Sequence, residues 1–307
     1  MFRANFQNKA AEDAEMGEMN GQDKSKLKRG VNNLLYVELR HPSGAQLDVY
    51  LHGAHAVSWR DSGGRSLLFL SKKSFFDSDR PIRGGIPVIF PQFGDGPLPK
   101  HGFARIHEWK LLGAGLSDND GAEARFELKD DRETIKLWPY KFRLELVFRL
   151  KAAGLEISFS VQNAGQTEFE FKNGLHTYFS TADITKTSVS GLAGADFVDF
   201  LGDAAVGRET RKKIRFGRET DRVYPFAPEM VVLEDGTNRQ KITIKKNGMH
   251  DIVLWNPWTE KSKRMDDFGD EEYHSMVCVE TGNLHQPIRL APGEKHLSGT
   301  RLELVNQ

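Results

Sequence analysis

The chain has 307 residues, of which 38% are hydrophobic and 10% aromatic, so it can bury the core of one large domain or two ordinary ones. Lysine plus arginine and aspartate plus glutamate both number 43, so no overall positive field favours nucleic acid or an anionic membrane as a partner. The single cysteine, Cys278, excludes a disulfide framework and a cysteine-based zinc site, and it is typical of a reducing compartment, so we expect a cytoplasmic protein.

The first 30 residues mix acidic, basic and small polar side chains with little hydrophobic periodicity, as in "AEDAEMGE". A segment of this composition buries little apolar surface, so we predict that residues 1–30 form a flexible polar tail. A processed targeting segment is the alternative. Beyond the tail the composition changes little, and residues 31–307 are therefore predicted to form one domain.

Alternating apolar and polar residues recur along this domain with the period of two that is typical of half-buried strands. The pattern occurs in "AQLDVYLH" from Ala45, "AEARFELK" from Ala122, "FRLELVFRL" from Phe142, "LEISFSVQN" from Leu155, "KITIKK" from Lys241 and "TRLELV" from Thr300. Turn residues in "SDNDG", "NAGQ" and "EDGTN" separate the runs. No sustained helical period and no fixed repeat is visible, so the sequence predicts an all-β domain of packed antiparallel sheets.

The stretch "RPIRGGIPVIFPQFGDGPLPKHGFAR" gathers cations around a stiff apolar segment. Its prolines restrict φ, and "RGG" permits close approach of the backbone. Arg83 and Arg105 can each offer a fork of donors to an anion, with Lys100 and His101 beside them, so the segment could hold one phosphate group. The alternative is that the arginines pair with structural carboxylates and His101 packs in the core.

A histidine and a glutamate interrupt two apolar runs. His176 lies inside the aromatic-rich, strand-like "FKNGLHTYFS", and an imidazole can give or take a proton near neutral pH. Glu280 ends the short apolar strand of "MVCVETGN", where we predict a turn to follow. A buried carboxylate is costly unless it is paired or used. Proton transfer is one explanation for these residues; a hydrogen-bonded core histidine and an arginine–glutamate ion pair are the alternatives.

A third group of polar residues accompanies tryptophans. Asp221 lies in "ETDRVYPFAP", and Trp255, Asn256 and Trp258 lie in "VLWNPWTEK". Tryptophan can stack on a sugar ring while aspartate and asparagine contact its hydroxyls, but the same residues can form a packed turn. The histidines show no His-x3-His spacing and there is no Cys-x2-Cys pair, so we predict no metal site.

Six segments, in this order, resemble the aldose 1-epimerase (galactose mutarotase-like) superfamily and in particular its hexose-6-phosphate mutarotase branch. They are "RPIRGGIPVIFPQFG", "LPKHGFAR", "NGLHTYFS", "TDRVYPF", "WNPWTEKSKRMDDF" and "VCVETGN". The flanking "LHGAHAVSWR" and "LAPGEKHLSGTRLELV" also look like this family's opening strands and closing hairpin. The resemblance therefore covers nearly all of the chain beyond the tail.

The resemblance implies a β-supersandwich of antiparallel sheets with few short helices and a cleft on one concave face. It also implies interconversion of the α and β anomers of glucose 6-phosphate, without a cofactor. His176 would be the general acid and Glu280 the general base. Arg83 and Arg105 would lie near the phosphate, and Asp221 would hold ring hydroxyls.

Two positions depart from the pattern that we expect in this branch. Thr281 follows Glu280 where proline is usual, which predicts a less rigid turn after the glutamate. Lys100 precedes His101 and adds a third cation, which would tighten phosphate binding or point to solvent. His101 would hydrogen-bond the sugar or adjust the charge of the acid–base pair.

Three other functions fit parts of this pattern. An aldose 1-epimerase that acts on neutral sugars would not need the cationic segment. A non-catalytic sugar-phosphate binding protein would keep Arg83, Arg105 and Asp221 but would need neither His176 nor Glu280. A glycoside hydrolase would require two carboxylates at a set separation, which the sequence does not fix. For the favoured function we expect a small hexose 6-phosphate as the partner, no nucleic acid or membrane, and a monomer.

Overall fold

The computed structural model describes residues 26–117 and 121–305. Most of the predicted tail lies outside these residues, although Leu27–Arg29, at its end, forms a strand. The strands in chain order are β1 (Leu27–Arg29), β2 (Leu35–Arg40), β3 (Gln46–Tyr50), β4 (His55–Arg60), β5 (Val88–Ile89), β6 (Lys110–Ser117), β7 (Gly121–Lys129), β8 (Phe142–Lys151), β9 (Gly154–Asn163), β10 (Phe169–Leu175), β11 (Tyr178–Ser180), β12 (Thr187–Ser190), β13 (Asp196–Asp199), β14 (Ala205–Arg208), β15 (Lys213–Arg215), β16 (Thr220–Tyr224), β17 (Met230–Asp235), β18 (Gln240–Asn247), β19 (Asp251–Asn256), β20 (Met276–Leu290) and β21 (Lys295–Val305).

Helices are few and short in the described residues. They comprise α1 (Arg132–Leu137), α2 (Trp258–Ser262) and four single turns of 3-10 helix. The side chain of Asp131 caps α1 by accepting hydrogen bonds from the backbone amides of Glu133 and Thr134. No helix in the described part of the chain is long and apolar enough to cross a membrane.

The strands predicted from alternation are all present. They correspond to β3, β7, β8, β9, β18 and the second half of β21. In β8 the apolar Leu144, Leu146 and Phe148 on one face are buried, whereas Arg143 on the opposite face is exposed. The period of two therefore reports the burial of one sheet face, as the sequence predicted.

The described strands form three sheets, in which every pair of strands is antiparallel. A four-stranded sheet has the order β1-β2-β3-β4, and a nine-stranded sheet has the order β15-β12-β17-β18-β21-β9-β8-β7-β6. An eight-stranded sheet has the order β14-β13-β16-β19-β20-β10-β5, with β11 also paired to β20. The predicted all-β architecture of antiparallel sheets is confirmed.

The two large sheets face each other across a continuous apolar core. Polar side chains tie the sheets together within it. The Asn173 amide on β10 donates to Ser298 Oγ on β21 at 3.1 Å, and the hydroxyls of Thr281 on β20 and Thr300 on β21 are 2.5 Å apart. Buried polar groups that are paired in this way fix the position of one sheet on the other.

The predicted turn after Glu280 is wrong, because strand β20 continues through that position. Thr281 pairs with Ile252 of β19, and Gly282 pairs with Gly174 of β10. The buried Thr281 hydroxyl is also held by the facing sheet. Backbone pairing on both edges keeps the segment extended, so the "TGN" sequence does not make the chain after the glutamate less rigid.

A tight turn precedes β5 and carries the "RGG" motif. Gly84 and Gly85 have φ values of +114° and +61°, in the region that favours glycine. A Cβ on Gly85 would lie 2.2 Å from the carbonyl oxygen of Ala56. The buried His55 ring donates through Nε2 to the Gly84 carbonyl at 2.7 Å. This packing fixes the backbone that carries Arg83.

We therefore expect Gly85→Ala to destabilise the protein by about 3 kcal/mol or more, since it combines backbone strain with a clash against backbone. Gly64→Ala is the matched control, because Gly64 also has a positive φ, +81°, but has no atom within 4 Å of the added Cβ. Strain alone predicts a loss of roughly 1 kcal/mol there. Urea unfolding of both variants measures the difference, and equal losses would contradict the packing described for Gly85.

Candidate active site

A row of side chains crosses the eight-stranded sheet on one face. Asp221 on β16 pairs with Trp255 on β19, Trp255 pairs with Cys278 on β20, and Cys278 pairs with Tyr178 on β11. Directly paired residues point to the same side of a sheet, and so do residues two apart on one strand. Glu280, two residues beyond Cys278, therefore belongs to the same face.

His176 reaches this face from a break between two strands. Strand β10 ends at Leu175 and β11 begins at Tyr178, so the predicted strand-like run is interrupted at the histidine. The backbone amide of His176 donates to the carbonyl of Pro87 at 2.9 Å. Since β10 and β11 both pair with β20, the break brings His176 beside Glu280.

The imidazole and the carboxyl group form a close, buried pair. Nε2 of His176 lies 3.3 Å from Oε1 of Glu280. The two residues are only 7% and 2% exposed. Nδ1 of His176 and Oε2 of Glu280 are buried without a hydrogen-bond partner. Buried polar atoms are seldom left unpaired in proteins, so these two atoms point to a site prepared for a bound molecule.

The surroundings of His176 oppose a charged imidazole. Burial is the largest effect that lowers its pKa, and His101, Arg105 and Arg83 lower it further, so the pKa lies well below the usual value. The imidazole of the unliganded protein is therefore neutral at pH 7.

The surroundings of Glu280 favour the protonated carboxylic acid. Burial raises its pKa most, Asp221 raises it further, and Arg105 acts in the opposite direction; the pKa lies well above the usual value. The two shifts together favour a neutral imidazole facing a carboxylic acid. The pair carries one transferable proton, whichever of the two partners holds it.

His101 stands next to this pair in a strained backbone conformation. Its φ is +64°, an uncommon value for a residue other than glycine. Its ring lies edge-on to the ring of His176 at 5.5 Å and against Phe93 at 5.2 Å. Burial, followed by Arg105 and Lys100, lowers the pKa of His101 to about 3, so it is also neutral. The structure thus brings His101 to the predicted acid–base pair.

Arg83 is held by two fixed partners. Its Nε and Nη2 contact Oδ2 of Asp267 at 3.1 Å and 3.0 Å, and its Nη1 donates to the Tyr178 hydroxyl at 2.9 Å. Burial alone would lower the pKa of Arg83, but Tyr178 and Asp267 outweigh burial and the pKa is raised. The alternative of a carboxylate partner therefore holds for Arg83, although its guanidinium is also linked to the candidate site through Tyr178.

In the described part of the chain, Arg105 has no ion-pair partner of this kind. Its Nη2 donates to the carbonyl of Lys100 at 2.6 Å, and its Nε is buried without a partner. No carboxylate of the described residues forms an ion pair with it. Burial, and then the nearby Arg83, lower the pKa of Arg105 to about 10. Such a desolvated cation, uncompensated by an ion pair, favours binding of an anion.

Lys100 and Asp221 each form an ion pair with a side chain outside the predicted site: Lys100 with a carboxylate and Asp221 with an ammonium group. Lys100 pairs with Asp95 at 3.0 Å, where both side chains are largely exposed. Asp221 accepts from Nζ of Lys261 at 3.3 Å, and that ammonium lies 5.7 Å above the Trp255 ring. Burial raises the pKa of Asp221, and Lys261 partly offsets this effect. Asp221 lies on the face of the candidate site, whereas contact of Lys100 with a ligand stays a prediction.

The two other residues of the tryptophan motif form a packed turn. The Asn256 amide donates to the carbonyls of Tyr273 and Met276 at 2.9 Å each, and Asn256 Oδ1 accepts from the backbone amide of Trp258. Trp258 packs on Tyr273 with ring centroids 5.1 Å apart. The packed-turn alternative therefore describes Asn256 and Trp258, and Trp255 alone reaches the site.

Cys278 adds a sulfur atom beside the acid–base pair. Ligand atoms of His176, Cys278 and Glu280 all lie within 4.8 Å of one another, which is close enough for a shared ion. Burial, followed by Glu280, raises the pKa of the Cys278 thiol well above its usual value, whereas metal binding requires the thiolate. Nε2 and Oε1 are also engaged with each other. We therefore assign no ligand role to these residues, and the absence of a metal stays a prediction.

Three contact residues escaped the sequence reasoning. Tyr178 stacks on His176 with ring centroids 4.7 Å apart, Asp267 holds Arg83, and Lys261 holds Asp221. All three lie inside the quoted motifs, two of them in "WNPWTEKSKRMDDF". Their position inside these motifs was the signal that could have identified them. Their contact partners, however, cannot be read from the spacing of residues in the sequence.

Comparison with known proteins identifies relatives across most of the chain. The family model described as aldose 1-epimerase matches residues 36–303. A Cenchrus ciliaris protein provisionally named a glucose-6-phosphate 1-epimerase is 36% identical over 88% of this chain and 85% of its own. A protein of Escherichia coli (strain K12) with the same provisional name is 37% identical over 83% of this chain and 85% of its own.

Solved structures give the same picture of the fold. The crystal structure of a Salmonella typhimurium protein provisionally named a mutarotase superposes with a TM-score of 0.84 at 31% identity, covering 92% of this chain and 95% of that one. The mutarotase-like β-sandwich expected from the six motifs is therefore confirmed.

The neutral state of His176 can be tested directly. We expect the ring nitrogens of His176 to keep neutral-imidazole chemical shifts from pH 7 down to pH 5 in the unliganded protein, because its pKa lies well below the usual value. A histidine with the ordinary pKa of about 6.5 would be almost entirely protonated at pH 5. The measurement is nitrogen NMR of histidine-labelled protein, with His176→Asn to assign the signals. A titration midpoint between pH 6 and 7 would contradict a neutral imidazole at this position.

Proposed function

The chain belongs to the aldose 1-epimerase family, and from this premise we propose that it interconverts the α and β anomers of glucose 6-phosphate. Family membership implies a small sugar as the substrate. The Cenchrus ciliaris and Escherichia coli relatives carry the name of the phosphate-specific activity. The observation that carries the proposal is the buried His176–Glu280 pair at 3.3 Å, beside the uncompensated Arg105.

The chemistry of anomerisation suits a pair at this separation. The O1 hydroxyl must lose a proton while the ring oxygen O5 gains one, after which the ring opens to the aldehyde. Rotation about the C1–C2 bond and reversal of the proton transfers give the other anomer. Because O1 and O5 are both bonded to C1, the base and the acid must lie close together. His176 and Glu280 satisfy this requirement.

The proton inventory of the pair also fits. Moving its single proton from Glu280 to His176 along the 3.3 Å contact gives a carboxylate and an imidazolium. The Glu280 carboxylate then takes the proton of O1, and the imidazolium gives its proton to O5. Ring closure returns both protons by the reverse path, so the pair is regenerated after each turnover.

The remaining polar residues of the site have roles that match the rest of such a substrate. Arg105 and Arg83 would contact the phosphate with charge-assisted hydrogen bonds. Asp221, held by Lys261, would accept from ring hydroxyls. The Trp255 ring lies edge-on to His176 at 6.1 Å and offers an apolar wall beside the reacting carbon.

The three alternative functions are weaker. A neutral-sugar epimerase would leave the buried charge of Arg105 without a purpose. A non-catalytic binding protein would not need two titratable groups whose pKa values are shifted in opposite directions and that touch each other. Asp221 is engaged with Lys261, which does not favour its use as the second carboxylate of a glycoside hydrolase.

We expect His176→Asn and Glu280→Gln each to lower kcat for glucose 6-phosphate by a factor on the order of 10² to 10⁴, since each removes a positioned acid or base. Both replacements keep the size of the side chain. The measurement is exchange NMR between the α and β anomers, corrected for the spontaneous rate.

The control is His274→Asn. His274 is exposed, and among the described residues the acidic partner of its side chain is Glu271. It should keep the wild-type rate. Acceleration that survives in both active-site variants would exclude the proposed acid–base pair.

We expect Arg105→Met to lower kcat/KM for glucose 6-phosphate about 10- to 100-fold, since a charge-assisted hydrogen bond contributes roughly 1.5 to 3 kcal/mol. The activity on free glucose should change less than about threefold, because methionine keeps the apolar stem and glucose has no charge to lose. Arg301→Met, at an exposed ion pair on β21, is the matched control. An equal loss with both sugars would show that Arg105 does not recognise the phosphate.

A further inference from the structure

The anion-binding arginines are physically joined to the acid–base pair through aromatic rings. Arg83 donates to the Tyr178 hydroxyl at 2.9 Å. The Tyr178 ring in turn stacks on the His176 ring, with centroids 4.7 Å apart and planes inclined by 11°. A change in the position of the Arg83 guanidinium is therefore transmitted to the imidazole by one buried side chain.

Arg105 is joined to the same imidazole by a second path. Its Nη2 donates to the carbonyl of Lys100, and the next residue, His101, places its ring edge-on to His176 at 5.5 Å. His101 is held in a left-handed backbone conformation, which the surrounding packing must maintain. An anion on Arg105 would thus bind directly beside the segment that supports His176.

The charges of the two arginines also act on the pair unequally. Arg105 and Arg83 both disfavour the imidazolium form of His176, whereas only Arg105 is among the main influences on Glu280, where it favours the carboxylate. Compensation of both cations by a dianion therefore removes two influences that oppose the imidazolium and one that favours the carboxylate.

We propose that a dianion held between Arg83 and Arg105 activates the His176–Glu280 pair, so that the phosphate of the substrate accelerates the chemical step in addition to anchoring the sugar. This inference rests on the function proposed above and extends it. In the activated state the proton of the pair has moved from Oε1 of Glu280 to Nε2 of His176. The anion site is then an activation site, which a dianion not attached to the sugar can also occupy.

The test uses glucose and the phosphite dianion as the two pieces of the substrate. We expect saturating phosphite to raise the enzyme-catalysed kcat/KM for α-glucose by about tenfold or more, which corresponds to a change of one pKa unit in the balance of the pair. The effect should saturate with phosphite concentration. Phosphite itself can catalyse mutarotation in solution. This background rate is measured with phosphite and the Glu280→Gln protein and is subtracted.

The matched variant is Arg105→Met, with Arg301→Met as the surface control. The activation by phosphite should disappear in the first and persist in the second. The same variant gives an independent readout with the intact substrate: kcat for glucose 6-phosphate at saturation should fall about tenfold or more, because the contact acts on the chemical step.

Other results would overturn the proposal. Phosphite that competes with glucose 6-phosphate but raises the glucose rate less than twofold would show that the phosphate only anchors the sugar. If phosphite does not compete with glucose 6-phosphate at all, the kcat of Arg105→Met decides between the two roles of the phosphate. A raised KM with an unchanged kcat would also show that the phosphate only anchors the sugar. In both cases glucose 6-phosphate is still turned over and the proposed function stands. Absence of acceleration with glucose 6-phosphate itself would instead refute that function.

Discussion

The site depends on placing an imidazole and a carboxyl group 3.3 Å apart where water is excluded. In water such a pair would separate into an imidazolium and a carboxylate. Here burial and the neighbouring cations lower the pKa of His176, and burial raises that of Glu280, so that both shifts favour the uncharged form of the pair. A proton that can sit on either partner is suited to a reaction that needs one acid and one base at adjacent oxygens.

The sheet provides this placement through its order of strands. Strand β20 is an interior strand, paired with β19 on one side and with β10 and β11 on the other. Glu280 pairs with Val253 of β19, and on the other side its neighbours Cys278 and Thr281 pair with β11 and β10, where the break between those two strands supplies His176. An edge strand would expose the carboxyl group to water. The interior position is what allows a long extended strand to carry a buried acid.

The sequence predicted the strands well because burial of one face leaves a period of two, as in β8. It also identified His176, Glu280, Arg83 and Arg105 through motifs. It could not predict the partners of these residues. The turn expected after Glu280 fails for the same reason, since the residues "TGN" are extended only because β10 and β19 pair with them. Contacts between strands distant in sequence override local preference.

The two arginines differ in a way that only the structure reveals. Arg83 is compensated by Asp267 and oriented by Tyr178, so its guanidinium is fixed before any ligand arrives. Arg105 has a carbonyl partner and a buried, unpaired Nε, so its charge is not compensated by an ion pair. A fixed cation defines the position of an anion, whereas an uncompensated one supplies the attraction. The desolvation of Arg105 is unfavourable, and an anion bound beside it would offset that cost. The same charge that opposes an imidazolium before an anion binds therefore makes the site responsive to what enters it.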